Sequence, residues 1–227
     1  EPGVRVPRVM AASNGEELLS LEIGGRAVQA RLLEFIDGQS LAHLPHLSRD
    51  VVVGLGELCA QVDRALASFQ HAGLERTLQW DPRHADALIT HLLPVIKNPE
   101  ERALLAHAAE QAQHRLRPLL AKLPVQAIHL DITEYNVVWE RDQQRQWQLQ
   151  GLIDFGDLVT TWRVADLSVT CAALLHHADG NPLYILPAIQ AYQAINPLQP
   201  EELQALWPLI VARAAILVLS SEQQASI

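Results

Sequence analysis

Three side chains able to do polar chemistry stand close together in His129-Leu-Asp131-Ile-Thr-Glu-Tyr-Asn136-Val-Val-Trp. A second group follows in Gly151-Leu-Ile-Asp154-Phe155-Gly156-Asp157. Asp131 and Asn136 bracket a four-residue loop between apolar segments, so both can face one cleft. Asp154 ends the apolar run Leu152-Ile153, where Phe155-Gly156 turns the chain. Two carboxylates and an amide oxygen are hard oxygen donors suited to Mg²⁺, which binds phosphate oxygens alongside one or two carboxylates. A carboxylate left off the metal can orient a hydroxyl nucleophile. Taken singly, Asp131 reads as a turn cap, Asn136 as a strand start and Asp154 as part of a surface turn. It is the joint pattern, H-x-D-x4-N, then an apolar hairpin, then I-D-F-G, that points to chemistry.

That pattern resembles the catalytic and metal-binding loops of the protein-kinase-like fold. The ending Ile153-Asp154-Phe155-Gly156-Asp157 resembles the aminoglycoside phosphotransferase and choline kinase family, which acts on small molecules. Leu78-Gln-Trp80-Asp81-Pro-Arg-His84 and the His129–Asn136 loop are most similar to hydroxylysine-kinase-type domains, some of which are fused to class III aminotransferases. The resemblance implies that Asp131 is the catalytic base and that Asn136 and Asp154 hold Mg²⁺ against the ATP phosphates. It implies that His129 is a scaffold of the loop and that Asp166 is a buried acceptor for the loop's backbone N–H groups. On residues alone, Asp166 competes as a plain acid at a helix start. Asp157 either stands behind the metal ligands or is a turn acid. Leu32-Leu-Glu34-Phe-Ile36-Asp-Gly38 matches the hinge, whose backbone near Glu34 and Ile36 would bond adenine; as bare sequence it is a buried strand and a turn.

The implied function is transfer of the ATP γ-phosphate to a hydroxyl of a small, amine-bearing metabolite of amino alcohol, hydroxylysine or aminoglycoside type. Such an enzyme also needs a phosphate-covering loop, a strand lysine and a helix glutamate. Here only Lys97 and Lys122 are lysines, and Asn14-Gly15 and Gly24-Gly25 are isolated turns. The chain also begins at Glu1 without a methionine. It is therefore expected to be a piece of a longer protein, binding nucleotide weakly and turning over slowly or not at all by itself. Leu130 stands where small-molecule kinases usually have glycine. The alternative is a non-catalytic kinase-like module that binds a partner or regulates a fused enzyme. A metal-dependent phosphoesterase would want histidine ligands or more carboxylates.

The elements that must position these residues can be read from periodicity. Val4–Val9, Leu18–Ile23 and Ala27–Ile36 predict about three short antiparallel strands. From Ser48 the period becomes helical, with Val51, Leu55, Leu58, Val62, Leu66 and Phe69 recurring until Gly73. Helices follow at about 84–96 and from Pro99 to near Pro118, then strands at Ala127–Leu130, Asn136–Glu140 and Gln146–Ile153. The remainder, about 163–178, 184–195 and 200–224, reads as helix. The fold class is α+β and kinase-like, with a remnant of an N-terminal β lobe and hinge over 1–38. A helical lobe with the catalytic and metal-binding loops on a β-hairpin spans 39–227.

The 227 residues carry 17 Lys+Arg against 26 Asp+Glu, a formal charge of −9, which argues against a nucleic-acid or anionic-membrane partner and suits a cationic acceptor. No apolar run is read as approaching the roughly 18 residues of a spanning helix, and no secretory signal is seen. Cys59 and Cys171 read as core thiols in a cytoplasmic protein. Trp80, Trp139 and Trp207 read as packing anchors, and His176-His177 as packing or surface. Glu201, Glu202 and Glu222 could meet a cationic acceptor but read better as solvated helix acids.

Overall fold

The computed structural model describes residues 3–225. Glu1, Pro2, Ser226 and Ile227, the outer ends of the two expected lobes, lie outside the described residues. The chain opens with four short strands, β1 (Val9–Met10), β2 (Leu19–Ile23), β3 (Arg26–Ala30) and β4 (Leu32–Leu33). β2 and β3 form a hairpin across Gly24-Gly25, both at positive φ, where glycine carries no Cβ penalty. β1 pairs antiparallel with β4, so the run expected to be one strand to Ile36 is broken at Arg31. Val9, Met10, Leu21, Ile23, Leu32 and Leu33 of these strands are all exposed.

Helix α1 (Arg49–Leu66) starts where Ser48 Oγ accepts the Val51 N–H. Its apolar stripe of Val51, Val52, Leu55, Leu58, Cys59 and Val62 is buried. The helix stops short of Gly73, and Phe69 is exposed rather than part of the stripe. Gly56 lets a second helix, α5 below, come close: a Cβ there would lie 2.1 Å from the Ala188 carbonyl oxygen. α2 (Ala85–Leu92) is short. α3 (Pro99–Leu116) is capped by Asn98, whose Oδ1 accepts from Glu100 and Glu101, and ends before Pro118.

Strands β5 (Val125–Ile128), β6 (Val137–Arg141), β7 (Trp147–Leu152) and β8 (Val159–Trp162) follow. β6 and β7 form the expected hairpin, with Val137 opposite Leu152 and an irregularity at Val138/Trp139. β8 is an addition: it pairs antiparallel with β5, Ile128 opposite Val159. The chain closes with α4 (Val164–Leu175), α5 (Leu186–Ile195) and α6 (Pro200–Ala225).

One core joins α1, α4, α5 and α6 to Ile132, Val137, Trp139 and Leu152 of the loop-bearing strands, so the site stands on packed elements. Helix α6 corrects the reading that no segment could span a membrane. By length and composition it is apolar enough, with Pro208 and Arg213 interrupting the run. More than half of it is buried, packed against α2, α3 and α4, which is the setting of a core helix. Two further expectations fail here. Trp207 is half exposed, and Glu202 is fully buried in an ion pair with Arg163.

Candidate active site

Strand β5 delivers His129 and Leu130 to the mouth of the helical body. Leu130 takes φ 67°, a left-handed conformation that favours glycine, and this reverses the chain and brings Asp131 out of the core. The cost is met by burial: the Leu130 side chain is fully inaccessible, packed with Ile128, Val159, Ala165 and Val169. Beyond it the loop coils tightly. Thr133 N–H donates to Asp131 O at 3.0 Å, and Asn136 and Val137 N–H both donate to Thr133 O at 3.1 Å.

Asn136 is thereby turned back onto Asp131. Its Nδ2 donates to Asp131 Oδ2 at 2.5 Å and to Asp131 O at 3.1 Å, leaving the amide Oδ1 as its acceptor atom. The Ile153 N–H donates to Asn136 O at 2.9 Å, which sets Asn136 beside the strand end carrying Asp154. Asp154 has φ 60°; its Oδ1 accepts the Gly156 N–H at 3.0 Å, which leaves its second oxygen for another partner. Asp131 and Asn136 are in contact and Asp154 lies in the field of Asp131, so hard oxygen donors of the kind suited to Mg²⁺ are grouped at one end of the β6–β7 hairpin.

Asp166, in the first turn of α4, accepts both amides that approach it, Leu130 N at 2.8 Å and His129 N at 3.0 Å. The His129 ring accepts Asp131 N–H on Nδ1 at 3.3 Å and packs edge-on against Phe155 at 4.8 Å between centroids. Burial pulls its pKa down to about 4, so near pH 7 it is a neutral spacer between the two loops. Burial raises the Asp131 carboxyl above the ordinary range, with Arg213 opposing and Asp157 and Asp154 assisting. Asp157 closes the short turn Phe155–Asp157 and lies in the field of both Asp131 and Arg213.

The segment expected to form the hinge lies against the same hairpin. Ile36 is buried against Gly151 of β7, and Gln39 pairs with Trp139 of β6. The Glu34 amide donates to Arg8 O at 2.8 Å and its carboxylate takes Arg5 at 2.9 Å, which holds its pKa below the usual value.

Several supporting residues were not anticipated. Arg76 Nη2 donates to Gly156 O at 2.5 Å and Leu158 O at 2.7 Å, clamping the Asp154 turn from outside. Asp81, fully buried, binds the Arg83 side chain and the Thr161 hydroxyl at 3.0 Å, so the Trp80 segment is fastened to β8. Glu134 is buried against His177 at 3.2 Å, and Thr170 Oγ1 donates to Ile132 O at 2.8 Å. Arg213 stacks over Trp80, 5.0 Å from its centroid. Nothing in the periodicity marks these residues. The nearest signal is a charged side chain inside an otherwise apolar helix, as at Arg213.

Residues 1–206 match the phosphotransferase enzyme family. Hydroxylysine kinase of Mus musculus is 21% identical over 211 residues, 88% of this chain and 55% of that protein. Homoserine kinase of Pseudomonas aeruginosa (strain UCBPP-PA14) is 28% identical over 229 residues, 95% of this chain and 63% of that protein. The chain thus spans about 55–63% of the length of these curated relatives. Among solved structures, the microcompartment-associated aminopropanol kinase superposes with a TM-score of 0.64 at 17% identity, over 96% of this chain and 74% of that one. The amicoumacin kinase in complex with AMP-PNP, Ca²⁺ and Ami gives 0.66 at 14% identity, over 98% and 66%. These likenesses give the fold, a protein-kinase-like α+β architecture. By the match over residues 1–206, the chain belongs to the phosphotransferase enzyme family.

Proposed function

We propose that the protein containing this chain moves the γ-phosphate of ATP to a hydroxyl of a small, amine-bearing acceptor. The observation that carries this is the contact of Asn136 Nδ2 with Asp131 Oδ2 at 2.5 Å, which supports reading Asp131 as the base and Asn136 as a metal ligand on one braced loop. The relatives named hydroxylysine kinase and homoserine kinase support the acceptor class. Asp131 receives the acceptor hydroxyl and takes its proton as the new P–O bond forms and the bond to the ADP oxygen breaks. Asn136 Oδ1 and Asp154 would hold Mg²⁺, which neutralises charge on the phosphates when bound. Asp166 holds the loop so that Asp131 needs no reorganisation. The carboxylates of Asp131, Asp154 and Asp157 favour a cationic amine nearby.

The test is nucleotide turnover across amino alcohols, hydroxy amino acids and aminoglycosides. Asp131→Asn should lower kcat by about 10²–10⁴-fold while leaving Mg·ATP affinity unchanged. Turnover untouched by that change removes Asp131 from the mechanism. The alternative is a non-catalytic kinase-like module that binds a partner or regulates a fused enzyme. Nucleotide binding without transfer to any acceptor would support it.

A further inference from the structure

Arg213 is the basic group that the phosphotransfer chemistry leaves without a task. It lies two turns beyond Trp207 on α6, in a helix otherwise apolar through Leu219. Its Nε and Nη1 are enclosed by protein and have no hydrogen-bond partner among the described residues. Arg213 as a whole is only partly buried, and Nη2 is not among its enclosed atoms, so the guanidinium keeps one open edge at which a carboxylate can be taken by charge-assisted hydrogen bonds. The side chain is held in place from behind. Trp80 supports the guanidinium face and itself packs against two hydrophobic clusters, one that includes Ala212 and Ile216 of α6 and one that includes Leu130. Asp81 pins that tryptophan through Arg83 and Thr161. The guanidinium also lies in the field of Asp131 and Asp157, on the same side of the molecule as the loop that carries Asp131. Asp131 Oδ2 is already taken by Asn136.

Resting on the phosphotransferase reading, we infer that Arg213 binds an anionic group of the acceptor, its carboxylate, so that the acceptor is a hydroxy amino acid. The hydroxyl meets Asp131, the carboxylate meets Arg213, and the amine lies among the acids. An anion could equally be the transferred phosphate, and the two sources predict different behaviour. If Arg213 serves the carboxylate, its loss penalises only acceptors that carry one. If it serves the phosphate, all acceptors suffer alike.

The experiment compares homoserine with 3-aminopropan-1-ol, which differs by that carboxylate alone, by calorimetric binding in the presence of Mg·ADP and by initial rates. The unmodified protein should bind homoserine about 10- to 100-fold more tightly than the amino alcohol, the range expected for hydrogen bonds to a charged group. Arg213→Gln should bring that ratio to about one, and Arg213→Lys should restore part of it. Equal binding of the two compounds by the unmodified protein overturns the inference without needing any variant. A preference that survives Arg213→Gln, an equal loss for both compounds, or binding of neither overturns it as well. Transfer to amino alcohols with no carboxylate preference leaves the phosphotransferase reading standing. Absence of transfer to every acceptor, with nucleotide bound, removes that reading instead.

Discussion

Leu130 and Asp63 show how single residues hold the site at opposite costs. A non-glycine residue in the left-handed region is disfavoured by roughly 1–2 kcal/mol, and Leu130 sits there at φ 67°. Its fully buried side chain outweighs this, since removing a buried leucine side chain costs about 2–5 kcal/mol. Leu130→Gly should therefore destabilise the protein by about 1–3 kcal/mol in urea unfolding, despite restoring the residue best suited to the backbone. Asp63, fully buried on α1, accepts the Tyr192 hydroxyl at 2.5 Å and shares its environment with Cys59 and Asp166, all three within 4.8 Å. Burial and the Asp166 charge hold the Asp63 carboxyl well above its ordinary value, while burial lifts Asp166 to about 6. The amides of His129 and Leu130 make Asp166 the anion, so Asp63 carries the shared proton. In the unfolded chain a carboxyl ionises near pH 4, and the folded protein then binds more protons than the unfolded one. Stability from this pair is full below that pH and is lost as pH rises toward the folded values, by at most about 1.4 kcal/mol per unit for each carboxyl. Asp63→Asn reproduces the protonated shape. It should flatten the fall in melting temperature as pH rises above the unfolded carboxyl range and raise stability at the alkaline end; an unchanged slope would place the proton elsewhere.

At the scale of elements, the join between β8, α5 and α6 rests on Arg163. Its guanidinium takes both Glu202 oxygens, Asn196 Oδ1 at 3.0 Å and Pro197 O at 3.2 Å, while Glu202 also accepts Gln199 N–H at 2.9 Å. Glu202→Ala leaves a largely buried cation and should cost about 3–5 kcal/mol in chemical denaturation. The pair replacement Arg163→Met with Glu202→Leu should recover a large part of that loss; no recovery would mean that the carboxylate's contact to Gln199, and not the charge pair, carries the join. The same residues show where sequence reading stops. Glu202 reads as a solvated acid because an acidic first turn is the ordinary helix start, and nothing local reveals a partner thirty-nine residues away. β8 escapes because four residues with two threonines carry too short a pattern, and only pairing with β5 makes them a strand. The long helices α1, α3 and α6 and the β6–β7 hairpin are legible because their apolar spacing or turn chemistry is local. So is the Asp131, Asn136 and Asp154 set, whose members lie within one loop and one turn. The residues that support it, Arg76, Asp81, His177 and Arg213, come from four distant segments.

At the scale of the molecule, two parts differ sharply in burial. The body from Leu41 to Leu219 holds nearly all the buried apolar residues, whereas the strands before Glu34 expose theirs. Two-stranded sheets with solvent on both faces are marginal in water. Their attachment to the body is narrow: Leu152 N–H to Arg5 O at 3.0 Å, Ile36 against Gly151, and Gln39 against Trp139. We propose that the division near residue 38 is also a division of stability, with the early strands opening on their own. Native-state hydrogen exchange should show the β2–β3 amides exchanging at low opening free energy, while those of α1, α4 and α6 exchange only with global unfolding. The proposed nucleotide contact at Glu34 and Ile36 makes a sharper demand. Addition of Mg·AMP-PNP should slow exchange over 34–39 and around Asn136 and Asp154, and should leave β2–β3 unchanged. Slowing confined to the β2–β3 hairpin would place the nucleotide on the early strands, away from the hinge. If instead the whole segment before Gly38 exchanges at the same rate as α1, the early strands and the body form a single cooperative unit, and the exposed apolar side chains there are no mark of weakness.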